Sequence, residues 1–228
     1  GGGGGVAARK ATISVTKRDK KNQEALQGVS FTLFQWDEKN QVRGLPFAQG
    51  ITDASGTFSF KVKPGGKYEL VETESISGYS SVLEYDENAL PDNVTPTKTG
   101  LLITAGAAKS VTSLELKNQP LEAEIAFRLF NQFHIPMAGA VVQVFKTDPS
   151  GVENPVPDEE LTVSTDGTLK LSLIRRGSAC FIRLPGGEIM AINVPADADV
   201  PPTLQLPDGS EVPLTEDFEL EGSLPEEQ

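Results

Sequence analysis

A segment near the start of the chain recurs 111 residues later. The matched positions are residues 25–34 with 136–145, residues 56–58 with 167–169, and Gly66 with Gly177. Because an internal repeat marks a structural unit that is used more than once, we predict two tandem copies of one fold, residues 10–119 and 120–228. Residues 1–9 begin with five glycines and are predicted to be a flexible tail.

Alternating apolar residues predict short, half-buried β-strands in both copies. In the first copy, Ile13, Val15 and Lys17 lie on one face of a predicted strand, and Phe58 and Phe60 lie on one face of another. The 22 glycines and 16 prolines favour tight turns between such strands. We therefore predict an all-β protein made of two tandem immunoglobulin-like β-sandwiches.

The composition excludes several classes of function. A net charge of −12 disfavours nucleic acid as a partner, because nucleic-acid binding relies on basic residues. No apolar run reaches the roughly 18 residues of a membrane span, so no membrane insertion is predicted for this fragment. The single cysteine and single histidine, Cys180 and His134, rule out an internal disulfide and the clustered ligands of a zinc site. We predict no cofactor and no bound metal.

Three polar residues fall on predicted inner faces of strands in the first copy. Lys17 follows Ile13 and Val15 in alternation, Glu72 follows Tyr68 and Leu70, and Asn118 follows Leu114 and Leu116. An isolated buried ammonium group is costly, so Lys17 needs a partner. Either Lys17 and Glu72 form an ion pair at a sheet edge beside an ordinary strand-end Asn118, or the three side chains converge in the core.

The first copy contains an ordered set of short motifs. They are Val15-Thr-Lys17-Arg-Asp19, Leu26-Gln-Gly-Val-Ser-Phe-Thr-Leu33, Thr52-Asp-Ala-Ser-Gly-Thr-Phe58, Gly66-Lys-Tyr-Glu-Leu-Val-Glu72, Ser77-Gly-Tyr79 and Leu116-Lys-Asn118. With this set, about residues 10–119 resemble the Cna B-type, or prealbumin-like, domain of Gram-positive surface proteins, pilins and adhesin stalks. The resemblance implies a prealbumin-like fold and an isopeptide crosslink between Lys17 and Asn118, with Glu72 assisting catalysis.

The chemistry implied by the resemblance is physically reasonable. Burial lowers the pKa of a lysine and so releases the free amine that acts as a nucleophile. A buried Glu72 in its neutral form would donate a hydrogen bond to the Asn118 carboxamide and then carry the proton that lets ammonia leave. The reaction occurs once per molecule, so the protein is predicted not to be an enzyme with turnover.

The second copy departs from the motif. At the spacing of 111, Lys17 aligns with Arg128 and Glu72 with Arg183, and the closing segment 218–222 lacks asparagine. A guanidinium group stays protonated and cannot replace the lysine. We therefore expect the same fold without the crosslink, with the inward arginines paired to a carboxylate such as Glu221.

The resemblance implies a structural module of an extracellular protein in the cell wall or pilus of a Gram-positive bacterium. Its expected partners are other pilus or surface-protein subunits. The alternative is an adhesin module that binds a host matrix protein or glycan through second-copy loops such as residues 149–160. Cys180 is interpreted as a buried structural thiol and His134 as a loop residue.

Overall fold

The computed structural model describes residues 9–223. The chain divides into two compact units, Gly1–Pro120 and Leu121–Gln228. Apart from Arg9, the predicted tail of residues 1–9 lies outside the described residues. Within the described range, no helix is long and apolar enough to span a membrane.

The first unit is built from eight strands in its described residues. They are β1 (Ala11–Asp19), β2 (Ser30–Asp37), β3 (Val42–Ile51), β4 (Thr57–Val62), β5 (Lys67–Glu74), β6 (Val94–Pro96), β7 (Leu101–Thr104) and β8 (Val111–Asn118). One sheet has the order β4-β1-β8 and the other β3-β2-β5-β7-β6. A short 3-10 helix, Glu87–Ala89, lies between β5 and β6.

The second unit has nine strands between residues 121 and 223. They are β9 (Glu122–Phe130), β10 (Val141–Phe145), β11 (Glu159–Thr162), β12 (Thr168–Arg175), β13 (Ser178–Arg183), β14 (Ile189–Val194), β15 (Thr203–Gln205), β16 (Glu211–Pro213) and β17 (Glu219–Glu221). Its sheets have the orders β12-β9-β17 and β11-β10-β13-β14-β15-β16.

Each unit encloses its own apolar core. Every second residue of β1 is buried, from Ala11 through Ile13 and Val15 to Lys17 and Asp19, so one face of the strand points into the core. The prediction of an all-β protein with tandem β-sandwiches is confirmed.

The first and last strands of each unit are neighbours. β1 pairs with β8 in parallel, and β9 pairs with β17 in parallel. In the first unit, this pairing brings two inward residues that are far apart in sequence, Lys17 and Asn118, to the same end of one sheet.

Candidate crosslinking site

Lys17 is fully buried on β1 and has two oxygen partners. Its Nζ lies 2.9 Å from Glu72 Oε1. It also donates a hydrogen bond to the backbone carbonyl of Lys117 at 3.1 Å. The ring of Phe31 lies 5.8 Å from Nζ and adds an apolar wall. The ammonium group is thus enclosed with a carboxylate partner inside the core.

Asn118 is fully buried on β8 and contacts the same carboxylate. Its Nδ2 donates to Glu72 Oε1 at 3.0 Å and to Ser75 Oγ at 3.2 Å. Its carbonyl oxygen, Oδ1, has no hydrogen-bond partner among the described residues. The carboxamide therefore presents nitrogen to Glu72, where we expected its oxygen to accept a hydrogen bond.

The site joins the two sheets of the first unit. Lys17 and Asn118 come from the three-stranded sheet, whereas Glu72 comes from β5 in the facing sheet. The structure brings the three residues together in the core, and the side chain of Glu72 is only 2% exposed. Glu72 Oε1 lies within hydrogen-bond distance of both the amine and the carboxamide.

Burial sets the electrostatics of the site. Removal from water lowers the pKa of Lys17, because the charged form loses its hydration, while the charge of Glu72 opposes this shift. A lysine whose pKa is lowered releases its free amine at a lower pH than an exposed lysine does.

A segment after β5 contributes contacts that the sequence reasoning did not assign. We call residues 75–85 the strap. Its Ser75 contacts Asn118, and the Tyr79 hydroxyl donates to Asp19 Oδ2 at 2.6 Å. Asp19 is buried on the same face of β1 as Lys17. The strand alternation that identified Lys17 also identifies Asp19 as inward, and this was the available signal.

A cleft of about 290 Å³ reaches the site from the surface. It lies between strap residues 81–83 and the connection at residues 97–100, and Glu72 lines it. The carboxylate is therefore enclosed on its Lys17 side and adjoins an open path on the other.

A second buried carboxylate lies on the opposite face of β5. Glu69 pairs with Arg43, whose Nε lies 2.6 Å from Glu69 Oε1, and it accepts hydrogen bonds from the hydroxyls of Thr97 and Thr99. Burial would raise the pKa of Glu69, but the bonds from Thr97 and Arg43 hold that pKa below its ordinary value. Glu69 has its own partners and takes no part in the Lys17 site.

The predicted alignment of Lys17 with Arg128 is wrong by one residue. The amide of Lys17 donates to Gly56 O at 2.8 Å, and the amide of Leu129 donates to Gly167 O at 2.8 Å. The Lys17 carbonyl accepts from Leu26 N, as the Leu129 carbonyl accepts from Met137 N. Leu129 is therefore the counterpart of Lys17.

The cause is a connection that is one residue shorter in the second unit. Lys17 precedes Leu26 by nine positions, whereas Leu129 precedes Met137 by eight. Since successive residues of a strand face opposite sides, a shift of one residue exchanges inward and outward positions. The repeat spacing of 111 holds at the glycine turns but becomes 112 on β9.

Strand pairing gives the counterparts of Glu72 and Asn118. Leu70 pairs with Leu33 and Ile182 with Val144, so the counterpart of Glu72 is Leu184 and not Arg183. Leu116 pairs with Lys17 and Leu220 with Leu129, so the counterpart of Asn118 is Gly222. A Cβ atom on Gly222 would lie 3.2 Å from Leu129 Cδ1 and 3.7 Å from Leu184 Cδ1. The three positions form an apolar cluster in the second unit.

Arg128 and Arg183 are not core residues. Arg128 lies 3.6 Å from Glu219, not Glu221, and its guanidinium donates to the carbonyl of Asp166. Arg183 lines a surface cleft of about 470 Å³ beside the loop that contains Pro149. Both arginines are half-buried on the outer side of their strands, so no buried partner is required.

The remaining two candidates behave as ordinary structural residues. Cys180 is buried in β13, and burial raises the pKa of its thiol to about 11. His134 lies in an exposed loop and stacks on Phe130. Residues 9–223 contain no group of three or more His, Cys, Asp or Glu side chains arranged to hold a metal ion.

Comparison with protein families gives one match, which lies in the first unit. Residues 11–100 match the family model described as the SpaA prealbumin-like fold domain. This segment is similar to a prealbumin-like fold domain. The match covers the strands β1 to β6 and therefore includes Lys17 and Glu72, while Asn118 lies beyond the matched residues. No match to the chain was found among curated protein sequences.

Solved structures show a similar fold over most of the chain. The Bacillus anthracis TIE protein matches 95% of the chain with a TM-score of 0.55 at 13% identity, and the chain spans 34% of that protein's length. The C-terminal fragment of the pilus adhesin SpaC from Lactobacillus rhamnosus GG matches 90% of the chain, with a TM-score of 0.53 at 13% identity and 88% of its own length covered. These similarities show a shared fold with domains of a pilus adhesin and of the TIE protein.

Proposed function

We propose that the prealbumin-like domain forms an intramolecular isopeptide bond between Lys17 and Asn118 and serves as a rigid module of a bacterial surface protein or pilus. The observation that carries the proposal is the position of Glu72. One of its oxygens lies 2.9 Å from the Lys17 amine and 3.0 Å from the Asn118 amide nitrogen, in a site enclosed by apolar side chains. This is the arrangement that one carboxyl group needs to move a proton between two reacting groups.

The reaction would begin with a proton moving from Lys17 Nζ to Glu72, which the burial of both groups favours. The free amine then attacks Asn118 Cγ, the C–N bond of the new amide forms, and negative charge moves onto Oδ1. Glu72 returns the first proton to Nδ2, the original C–N bond breaks, and the nitrogen leaves as ammonia. Glu72 then takes the second proton from Nζ, so that the products are a neutral amide, ammonia and a protonated Glu72. The cleft beside Glu72 offers a route for the ammonia to reach solvent.

The bond would also remove an energetic cost from the folded state. A buried ion pair loses hydration that its mutual attraction only partly repays. An amide between Lys17 and Asn118 carries no charge and leaves Glu72 free to become neutral. The folded state itself therefore provides part of the driving force for the reaction.

The position of the bond supports a mechanical role. It would join β1 to β8, the first and last strands of the domain, which lie side by side. Force applied along a chain of such modules would pass through the covalent link and bypass the intervening strands. We infer an extracellular location in a Gram-positive cell wall or pilus, with other pilus or surface-protein subunits as partners.

A second candidate function concerns the second unit. The loop between β10 and β11 exposes Val152 and Val156, the latter at 84%, and it borders the cleft that contains Arg183. Exposed apolar side chains beside a cation are suited to contacts with a host matrix protein or glycan. Binding of a host-protein array by the wild-type chain, and its loss in Val152→Ser with Arg183→Ala, would support this role.

The mass of the intact folded protein tests the crosslink. The wild-type chain should weigh one ammonia less than its sequence, and Lys17→Ala and Asn118→Ala should each restore the full mass. The same variants also test the second unit. Its residues Leu129, Leu184 and Gly222 cannot form a crosslink, so these variants should show no remaining loss of ammonia. Full sequence mass in folded wild-type protein would overturn the proposal.

A further inference from the structure

The strap closes over the edge of the sheet that holds the crosslinking residues. Glu84 and Lys117 exchange two backbone hydrogen bonds, of 3.1 and 2.7 Å, and Ser80 N donates to Gln119 O at 2.9 Å. The strap thereby covers β8 where Asn118 lies. Its side chains Leu83 and Tyr85 pack against the core. The strap therefore covers this side of the site.

The strap contacts one reacting group directly and reaches the other through the backbone of β8. The Lys117 carbonyl accepts a hydrogen bond from Glu84 N and another from Lys17 Nζ. Ser75 Oγ lies 3.2 Å from Asn118 Nδ2 and donates to the carbonyl of Ser80. The nucleophile and the carboxamide are therefore both held partly by this segment or by the backbone to which it binds.

One side-chain contact fastens the strap to β1. The Tyr79 hydroxyl donates to Asp19 Oδ2 at 2.6 Å, and Asp19 is 1% exposed. Asp19 Oδ1 also accepts from the amides of Lys21 and Asn22, which fixes the carboxylate in place. A hydrogen bond to a fixed, buried carboxylate is among the stronger kinds. The outer salt bridge between Lys20 and Glu84 is exposed and contributes little.

We propose that closure of the strap, secured by the Tyr79–Asp19 hydrogen bond, is the step that assembles the crosslinking site, so that Tyr79 is a positioning residue for bond formation. This inference rests on the proposed crosslink. The Tyr79 hydroxyl bonds to Asp19, so Tyr79 acts through the strap, which orients Asn118 and covers the side of the site where Lys17 lies.

An open strap should change how the reaction depends on pH. The charged groups that face Lys17 are Glu72 from β5 and Glu84 from the strap, while β2 contributes the ring of Phe31 and β8 the Lys117 carbonyl. Opening would hydrate Lys17 and remove Glu84. Hydration is the larger of these two effects, so the pKa of Lys17 would rise towards its ordinary value and less free amine would be present at neutral pH.

The experiment follows ammonia loss by intact mass after cell-free synthesis of the full chain, sampled over time in buffers of increasing pH. Tyr79→Phe removes only the hydroxyl. Tyr85→Phe is the matched control, because Tyr85 also packs from the strap but its hydroxyl makes no hydrogen bond within the described residues. We expect Tyr79→Phe to slow crosslinking by up to about tenfold. We also expect the pH at which the rate reaches half of its maximum to be higher than in the wild type. Tyr85→Phe should match the wild type in both.

A second variant separates the two roles of the strap. Ser75→Ala removes the hydroxyl beside Asn118 but leaves the Tyr79 contact, so it should slow the reaction without moving the pH midpoint. Circular dichroism before crosslinking verifies that each variant is folded. Wild-type rate and pH midpoint in Tyr79→Phe would overturn the inference, as would a slower rate with an unchanged midpoint. Absence of ammonia loss in the wild type would instead overturn the crosslink itself.

Discussion

Leu129 occupies in the second unit the position that Lys17 occupies in the first. Both residues are fully buried on the first strand of their unit, and both make the same pair of backbone hydrogen bonds. In one unit this position holds an amine beside a carboxylate, and in the other it holds a leucine against Leu184 and Gly222. The same strand arrangement thus accommodates a buried polar site in one unit and an apolar cluster in the other.

The apolar cluster should not tolerate a single charge. In Leu129→Lys, the ammonium would be buried without a carboxylate partner, and we expect the free energy of unfolding of the second unit to fall by more than about 3 kcal/mol. Leu129→Met keeps the position apolar and should cost about 1.5 kcal/mol or less. Urea unfolding measures both. Equal stability of the two variants would show that Leu129 is not enclosed as described.

Glu72 should be required for the crosslink, and its neighbour Glu69 should not. Glu72→Gln removes the group that carries the proton, so the folded variant should retain its full sequence mass. Glu69→Gln is the matched control on the same strand: it weakens the Arg43 ion pair, lowering stability, but leaves the Lys17 site intact. Intact mass distinguishes them. Loss of ammonia from folded Glu72→Gln at the wild-type rate would exclude the catalytic role of Glu72.

The crosslink should shorten the chain that can be extended by force. Lys17 and Asn118 are 101 positions apart, so pulling on the two ends would leave about 340 Å of contour length hidden behind the bond. Single-molecule extension of the wild-type chain should lack this increment, and Glu72→Gln should recover it. On a loop-entropy model, closing about 100 residues also stabilises the domain by about 4.7 kcal/mol. Full extension of the wild type would remove the basis of the mechanical role.

Cys180 should make the second unit sensitive to alkaline pH. Its pKa is raised from 9.0 to about 11 in the folded state, so between these values the unfolded thiol ionises and the folded one does not. The unfolded state then binds fewer protons than the folded state. The contribution of Cys180 to stability is therefore constant below this window and decreases as the pH rises through it. Chemical denaturation from pH 8 to about 11 measures the slope. Cys180→Ala should flatten it, and an identical slope in that variant would assign the effect elsewhere.

The amino-acid sequence by itself determined the fold class and the three candidate reagents. Strand alternation depends only on neighbouring residues, since successive side chains point to opposite faces. Lys17, Glu72 and Asn118 could therefore be placed on inner faces before any tertiary contact was known, and the ordered motifs indicated their shared chemistry. The glycine turns likewise revealed that the fold is used twice.

Only the tertiary structure decided which residues meet. The alignment of Lys17 with Arg128 failed because the connection after β9 is one residue shorter than the connection after β1. The spacing of the glycine turns does not reveal this difference. A shift of one position moves a residue to the opposite face of its strand. The Tyr79–Asp19 contact joins residues 60 positions apart through a segment without regular alternation. Contacts of this kind depend on how the chain returns across the sheet edge, and neither local pattern nor repeat spacing contains that information.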